Sequence, residues 1–486
     1  MSNNRLNDIF THLQENAVLQ YWLLAAITIL AALLRLYKIG EWSFWIDEIY
    51  TINRAQIHFS DPALLLRNLP STLWLPISVI LTEVFLNVFG VSEWSARLGS
   101  TLIGILSIPI LFFPVRKLVG ASTVLIFVLL LAISPWHLFW SQNARFYTSL
   151  LLFYNLAAFV FFYAIEYDRP VYLIFFYILF YFAVSERLIA VFIFPVILAY
   201  WFALWLLRFD RPPGLRTRNI LLIILPMLGL ILFDAFRFIR TGSSIILDAI
   251  KDFSSIIIDD PIRIFILIVY NIGIPLVCMA LLSGIYLIKE KNRLGLFLFI
   301  SAVVTSVSVA AVSLVAFVVD RYAFMTLPSW ILLASFGVIE VYRKFRPRGF
   351  LLGIGALLLL IADASGVHLM YYQLNEGNRP EWRRAFEYVA EHAKEGDIIV
   401  SPVPEVGSYY TNQDVISLGE IIPEQIENSE GRYWFVLDSE NSWFHEENKT
   451  WVEEHADLID MFYLRVREKM YLKIYLYTGE YESLAR

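Results

Sequence analysis

The stretch Trp42-Ser43-Phe44-Trp45-Ile46-Asp47-Glu48-Ile49-Tyr50 sets two adjacent carboxylates among large aromatic and aliphatic side chains. Partial desolvation raises a carboxylate's pKa and suits it to accept a proton near neutral pH. The same residues also read as an interfacial helix whose Asp-Glu pair caps its first turn while the aromatics form a membrane belt. Arg145 and Arg321 stand at the ends of apolar runs. There a guanidinium can pair bidentately with a phosphate at headgroup depth, or simply snorkel to the interface. Glu186-Arg187 reads as a plain ion pair closing a tight turn, and His137, beside Trp136, as a structural histidine or a substrate contact. The seven histidines are scattered, with no His-Glu-x-x-His and a single cysteine, Cys278. We therefore expect no metal site and no cofactor. There is no Gly-rich phosphate-binding loop.

These residues must be positioned by membrane helices. Of 486 residues, 58% are hydrophobic and 17% charged, and the mean hydropathy is +0.62. That balance excludes a soluble enzyme, a disordered chain and a disulfide scaffold. Apolar runs near 18–36, 98–115, 121–135, 148–165, 171–184, 188–207, 219–237, 262–288, 294–318, 323–340 and 349–370 predict about eleven transmembrane helices. The first follows a polar segment without a cleavage pattern and reads as a retained span. Leu73 to Phe89 is interrupted by Pro76, Thr82, Glu83 and Asn87. A charge at the bilayer centre costs about 3 kcal/mol, so this segment is laid along the interface. Basic residues support the count, because cytoplasmic loops concentrate them. With the N-terminus inside, Arg116-Lys117, Arg169, Arg208 to Arg218, Lys289 to Arg293 and Arg343 to Arg348 all fall on the cytoplasmic side. The acid pair, Arg145, Arg321 and the chain after residue 370 fall outside.

Residues 371–486 hold 11 Lys and Arg against 23 Asp and Glu, whereas the preceding 370 hold 27 against 21. We divide the chain accordingly into a membrane body, 1–370, and a small acidic α/β domain, 371–486, which makes nucleic acid an improbable partner. In the tail, 380–394 has helical spacing with Trp382, Phe386, Val389 and Ala390 on one stripe. Runs at 397–400, 433–437 and 473–477 read as strands. Asn448-Lys449-Thr450 is an N-glycosylation triplet.

Asp47-Glu48 after the first span, followed by Leu69-Pro70 to Gly90 and Glu93-Trp94-Ser95-Ala96-Arg97-Leu98, resembles the lipid-linked-sugar glycosyltransferases of the multi-span GT-C fold. The nearest group is that of protein O-mannosyltransferases, aminoarabinose transferases and rhizobial lipopolysaccharide glycosyltransferases. Ser134-Pro135 and Ser141-Gln142-Asn143-Ala144-Arg145-Phe146-Tyr147 resemble its Gln-Glu-Ala-Arg-x-Tyr motif, and Asp320-Arg321-Tyr322 with Leu327-Pro328 its late Arg-Tyr-x(4)-Leu-Pro motif. Trp382-Arg383 and Gly396-Asp397 resemble the start of the outer domain often attached. The chain departs from the pattern at Asn143, where Glu is usual, and at Leu69-Pro70-Ser71-Thr72, where His-x-Pro or Lys-Pro-Pro is common.

The resemblance implies an all-α polytopic membrane enzyme with interfacial helices, its active site facing outward at the outer face of the membrane. Asp47 would be the general base and Glu48 would orient the acceptor or hold the loop. Gln142, Arg145, Tyr147, Arg321, Tyr322 and His137 would bind substrate. The donor would be a polyprenyl-phosphate sugar and the acceptor an external glycan, lipid or protein, with inversion at the anomeric carbon. The loop at 238–261, with Asp248, Lys251, Asp252, Asp259 and Asp260, is long enough to close over the carrier headgroup. Two rival classes remain open at this point. A lipid or polysaccharide transporter would carry ionisable groups at mid-span, where only Asp234 and Asp363 come near. A non-catalytic carrier-lipid binder is kept open by Asn143.

Overall fold

The computed structural model describes residues 16–60, 76–242, 260–314, 318–345, 349–429, 431–439, 441–463 and 471–479. Among them, eight helices are long and apolar enough to cross a membrane, or ten if each of two bent pairs counts as one span. Three of the eleven expected spans behave differently, each for a local reason. Val171–Glu186 is apolar but only 16 residues long, short of the roughly 20 that a perpendicular crossing takes. The run at 262–288 is broken: Pro261–Ile272 and Ile274–Lys289 meet at 96°. Gly273 sits in the break at φ +102°, a conformation a side chain rarely adopts, and Pro275 follows at the start of the next helix. The run at 121–135 ends at Ala132, and Pro135–Ser141 leaves it at 55°. Here Ser134 caps the short helix by accepting the His137 N–H at 3.4 Å, with Pro135 at its first position.

The interfacial segment forms a helix over Ile77–Phe89, 13 residues. At 1.5 Å per residue that is about 20 Å, too short for a hydrocarbon core of about 30 Å. Its expected beginning at 73–75, the Leu69–Thr72 motif, and residues 243–259 of the expected closing loop lie outside the described residues. Thr217–Thr241 runs beyond the expected end of its span, and Asp260 caps Pro261–Ile272 by accepting the Ile262 N–H.

The chain forms two compact units that alternate along the sequence. The first comprises residues 1–37, 63–81 and 99–365. Its most enclosed spans are Tyr147–Glu166 and Asp320–Lys344, while Ala17–Leu36 and Thr217–Thr241 leave most of their apolar surface exposed. Such faces carry no penalty against lipid tails, which are as apolar as leucine. The second unit comprises residues 38–62, 82–98 and 366–486. It contains a five-stranded mixed sheet: β1 Ile398–Ser401, β2 Val415–Ser417, β3 Arg432–Asp438, β4 Asp457–Tyr463 and β5 Tyr471–Thr478, in the order β2-β1-β3-β5-β4. β1 pairs in parallel with β2 and β3, and β5 is antiparallel to β3 and β4. One face of this sheet buries Val400, Leu418, Ile426, Phe435, Leu437, Val452 and Tyr475 together. Helix Trp382–His392 lies where its spacing predicted, burying Trp382, Ala385, Phe386 and Val389. The glycosylation triplet instead belongs to helix Glu446–His455, where the Asn448 amide donates to the carbonyls of Leu418 and Ile421. An amide engaged in packing is a poor acceptor for a glycan.

Candidate active site

In the second unit the acid pair opens the helix Ile46–Ser60, where carboxylates are favoured by the helix dipole. The two carboxylates differ in their surroundings. Glu48 is wholly buried, and Arg97, at the start of helix Glu93–Leu118, grips it through Nε and Nη2, both at 2.8 Å. Arg379 donates a third bond from Nη1, also at 2.8 Å. The remaining Arg97 donors hold the carbonyls of Ile39, Trp42 and Ser43 at 2.9–3.0 Å. All five N–H groups of this buried guanidinium are thus engaged, and residues 39–48 are wrapped around it. Burial lowers the Arg379 pKa from its ordinary value, with Glu48 opposing the shift and Arg97 adding to it. Asp47 is only partly buried, and the first turn beneath it is closed by Thr51 Oγ1 donating to its carbonyl. Of the two roles expected for Glu48, the geometry fits the holding of the loop.

Residues of the C-terminal segment complete this frame. Ser43 Oγ donates to the Pro380 carbonyl at 2.7 Å and accepts the Trp382 N–H at 3.2 Å. The Phe44 N–H donates to the Tyr410 hydroxyl at 2.7 Å, and that hydroxyl donates to Glu93 at 2.9 Å. Arg383 pairs with the same Glu93 carboxylate at 2.6 Å. Burial, and then the neighbouring Glu93 charge, raise the Tyr410 pKa well above the usual phenol range.

In the first unit, Arg35 at the end of the first span is wholly buried. It donates to the carbonyls of Ala31, Leu131 and Ala132, to Ser141 Oγ and to His137 Nδ1 at 2.7 Å. Since a guanidinium only donates, Nδ1 of His137 accepts, and its ring proton lies on Nε2, facing Ser107 Oγ at 3.3 Å. The Gln142 amide caps the same span by donating to the carbonyls of Arg35 and Tyr37 at 3.0 and 2.7 Å. Asn143 donates to the Phe139 carbonyl, and Tyr147 packs against Trp140 with ring centroids 4.0 Å apart. His137, Gln142 and Tyr147 are buried, so these expected substrate contacts serve in this structure to hold the bent 131–147 segment in shape.

That segment ends on a cluster of cations. The guanidinium of Arg145 lies 5.1 Å from the Phe146 ring centroid, and that of Arg187 lies 5.6 Å from the same centroid. Arg187 also donates to the Tyr322 hydroxyl at 3.4 Å. Glu186 does not pair with Arg187 as expected. Its carboxylate accepts the Ser78 N–H at 3.0 Å and the Ser78 hydroxyl, near the start of helix Ile77–Phe89. Arg321, half-buried, directly precedes Tyr322 in the 3-10 turn Asp320–Thr326, whose Asp320 accepts from Asn271. Two guanidiniums drawn to one ring repel each other, and a phosphate placed between them would offset that repulsion through charge-assisted hydrogen bonds. Arg187 does not stand out in the sequence because its neighbour Glu186 offers an obvious partner. The roles of Arg379 and Tyr410 were hidden because their partners lie more than 300 positions away.

Residues 75–234 match the family described as dolichyl-phosphate-mannose-protein mannosyltransferase. No curated protein matches the chain by sequence. The fold is similar to the crystal structure of ArnT from Cupriavidus metallidurans bound to undecaprenyl phosphate, with TM-score 0.60 and 13% identity over 95% of this chain and 98% of that one. The apo ArnT structure gives TM-score 0.54 and 12% identity over 82% and 87% of the two chains. AglB from Archaeoglobus fulgidus, an archaeal oligosaccharyltransferase in complex with an inhibitory peptide and a dolichol-phosphate, gives 0.54 and 14% over 89% and 71%. The chain is therefore a multi-span membrane protein with the fold of these solved structures, and its residues 75–234 are similar to the dolichyl-phosphate-mannose-protein mannosyltransferase family.

Proposed function

We propose that this protein moves a sugar from a polyprenyl-phosphate carrier to a hydroxyl of an external glycan, lipid or protein, with inversion at the anomeric carbon. The observation that carries this reading is the contrast within the acid pair: Glu48 is consumed by two arginines while Asp47 keeps access to solvent. Asp47 takes the acceptor proton as the hydroxyl oxygen attacks the anomeric carbon from the face opposite the phosphate. The carbon–phosphate-oxygen bond breaks through an oxocarbenium-like transition state, and the polyprenyl phosphate leaves with the bonding electrons. Arg145, Arg187 and Arg321 hold that phosphate and stabilise the charge gathering on it, with Tyr322 steadying Arg187. A phosphate leaves readily, so no separate general acid is needed. The alternation of basic clusters supports a cytoplasmic N-terminus, an outward-facing site and an extracytoplasmic domain at 371–486.

Purified protein given radiolabelled undecaprenyl-phosphate mannose tests the reading. Transfer, or slow release of free sugar, that disappears in Asp47→Asn supports it. Retention of the donor without turnover in the wild type would leave a carrier-lipid binder and end the enzymatic proposal.

A further inference from the structure

The segment bearing Asp47 is held on both flanks by residues from beyond position 378, all within the second unit. On its C-terminal flank Arg379 reaches Glu48. On its N-terminal flank Ser43 is tied to Pro380 and Trp382, and the Phe44 N–H ends on the Tyr410 hydroxyl. The Phe44 ring also meets Tyr409 edge-on, with centroids 5.2 Å apart. Farther along the same helix, the Tyr50 hydroxyl donates to Glu405 at 3.2 Å. Tyr409 and Tyr410 belong to the helix Pro404–Thr411, which joins β1 to β2. A domain that merely bound acceptors would have no need to contribute to the frame of the reaction's base.

We propose that Tyr410 is a positioning residue for Asp47, and that the helix Pro404–Thr411 makes the C-terminal domain a fixed part of the catalytic frame. This rests on the reading of Asp47 as the general base. Tyr410 acts at a distance of three residues. Its hydroxyl satisfies the Phe44 N–H just ahead of the helix Ile46–Ser60, and its own proton is anchored on Glu93, which Arg383 holds in turn. The hydroxyl therefore sets where the first turn begins, and the first turn sets where the Asp47 carboxylate points. Removing it leaves the ring in place but releases a backbone N–H, so the entry to the helix gains freedom while the sheet is untouched.

Full-length Tyr410→Phe is the test, with two readings taken on the same preparation. In hydrogen–deuterium exchange, peptides covering residues 42–50 are expected to exchange about tenfold faster, while those of β3 and β5 keep wild-type protection. With radiolabelled undecaprenyl-phosphate mannose, kcat is expected to fall about tenfold while KM for the donor stays within about twofold, since the groups assigned to phosphate binding are unaltered. Glu93→Gln, which keeps an oxygen for the Tyr410 hydroxyl, is expected to show the same pattern at about a third of the size and serves if Tyr410→Phe does not fold. Wild-type exchange at 42–50 in the folded variant overturns the proposal, as does equal loss in kcat and donor affinity. An inactive Asp47→Asn beside a fully active Tyr410→Phe overturns the positioning role alone. A fully active Asp47→Asn instead overturns the assignment of the base.

Discussion

Glu48 accepts three N–H groups at 2.8 Å where no solvent reaches it. Removing one member of a buried ionic cluster strands the others and costs about 3–5 kcal/mol. Glu48→Gln should therefore lower the thermal unfolding midpoint in detergent and lose activity with it. Asp47→Asn should leave that midpoint within a degree or so and cut kcat by about 10²–10⁴-fold, the range for a lost general base. A common loss of stability in both variants would contradict the division of labour. At the second cluster, Arg187→Ala should reduce kcat/KM about 10²-fold, and Arg187→Lys should recover only part, because an ammonium lacks the planar fork. Tyr410 adds a pH signature. Its pKa is raised in the folded state, so its contribution to stability is complete below the ordinary phenol value of about 10 and is lost as pH climbs past it. The midpoint difference between wild type and Tyr410→Phe should consequently narrow above about pH 10 in a thermal-shift series. Asp47, Arg145 and Arg321 stand out in the sequence because they lie in motifs whose spacing singles them out. Arg187 was not, since a neighbouring carboxylate in sequence is no guide to which way each side chain turns.

Apolar runs mark the helices but not their breaks. A moving average cannot see that Gly273 and Pro275 end one helix and begin another at nearly a right angle, because the flanking residues are apolar on both sides. The signal lay in the two residue types, not in the average. A side chain at Gly273 would have to adopt φ near +102°, and its Cβ would sit 2.9 Å from the Asp363 carboxylate. Gly273→Ala should thus destabilise by about 1–3 kcal/mol, seen as a lower unfolding midpoint. An unchanged midpoint would mean the bend does not depend on that conformation. The bend between Ala132 and Pro135 carried a clearer mark in Ser134-Pro135, yet its stabiliser did not. Arg35 looks like an arginine ending a first span, and only the fold shows it closing the carbonyls of Leu131 and Ala132. In the tail, β1, β3 and β5 were legible as runs of β-branched and aromatic residues. β2 is three residues long and β4 carries Asp457 and Asp460, so neither has the pattern of a half-buried strand.

Composition announces a membrane protein and an acidic tail, but it suggests a boundary at residue 370 that the packing does not follow. Residues 38–62 and 82–98 form one compact unit with residues 366–486, although the charge balance assigns them to the membrane body. Linear composition is blind to this because the tie is made by single residues such as Glu48, Arg97 and Arg379. Deleting residues 379–486 should therefore abolish turnover of the lipid-linked donor and lower the unfolding midpoint, and a truncated protein turning over at the wild-type rate would refute that dependence. The same discontinuity bears on biosynthesis. Glu48 and Arg97 leave the ribosome early, whereas Arg379 and Tyr410 follow only after most of the membrane helices have been made, tens of seconds later at about 5–20 residues per second. Until then a carboxylate and a guanidinium destined for a dry interior stand with their frame incomplete. A nascent chain stalled in that interval should be cleaved by quality-control proteases more readily than the finished protein, because Arg379 has not yet joined Glu48.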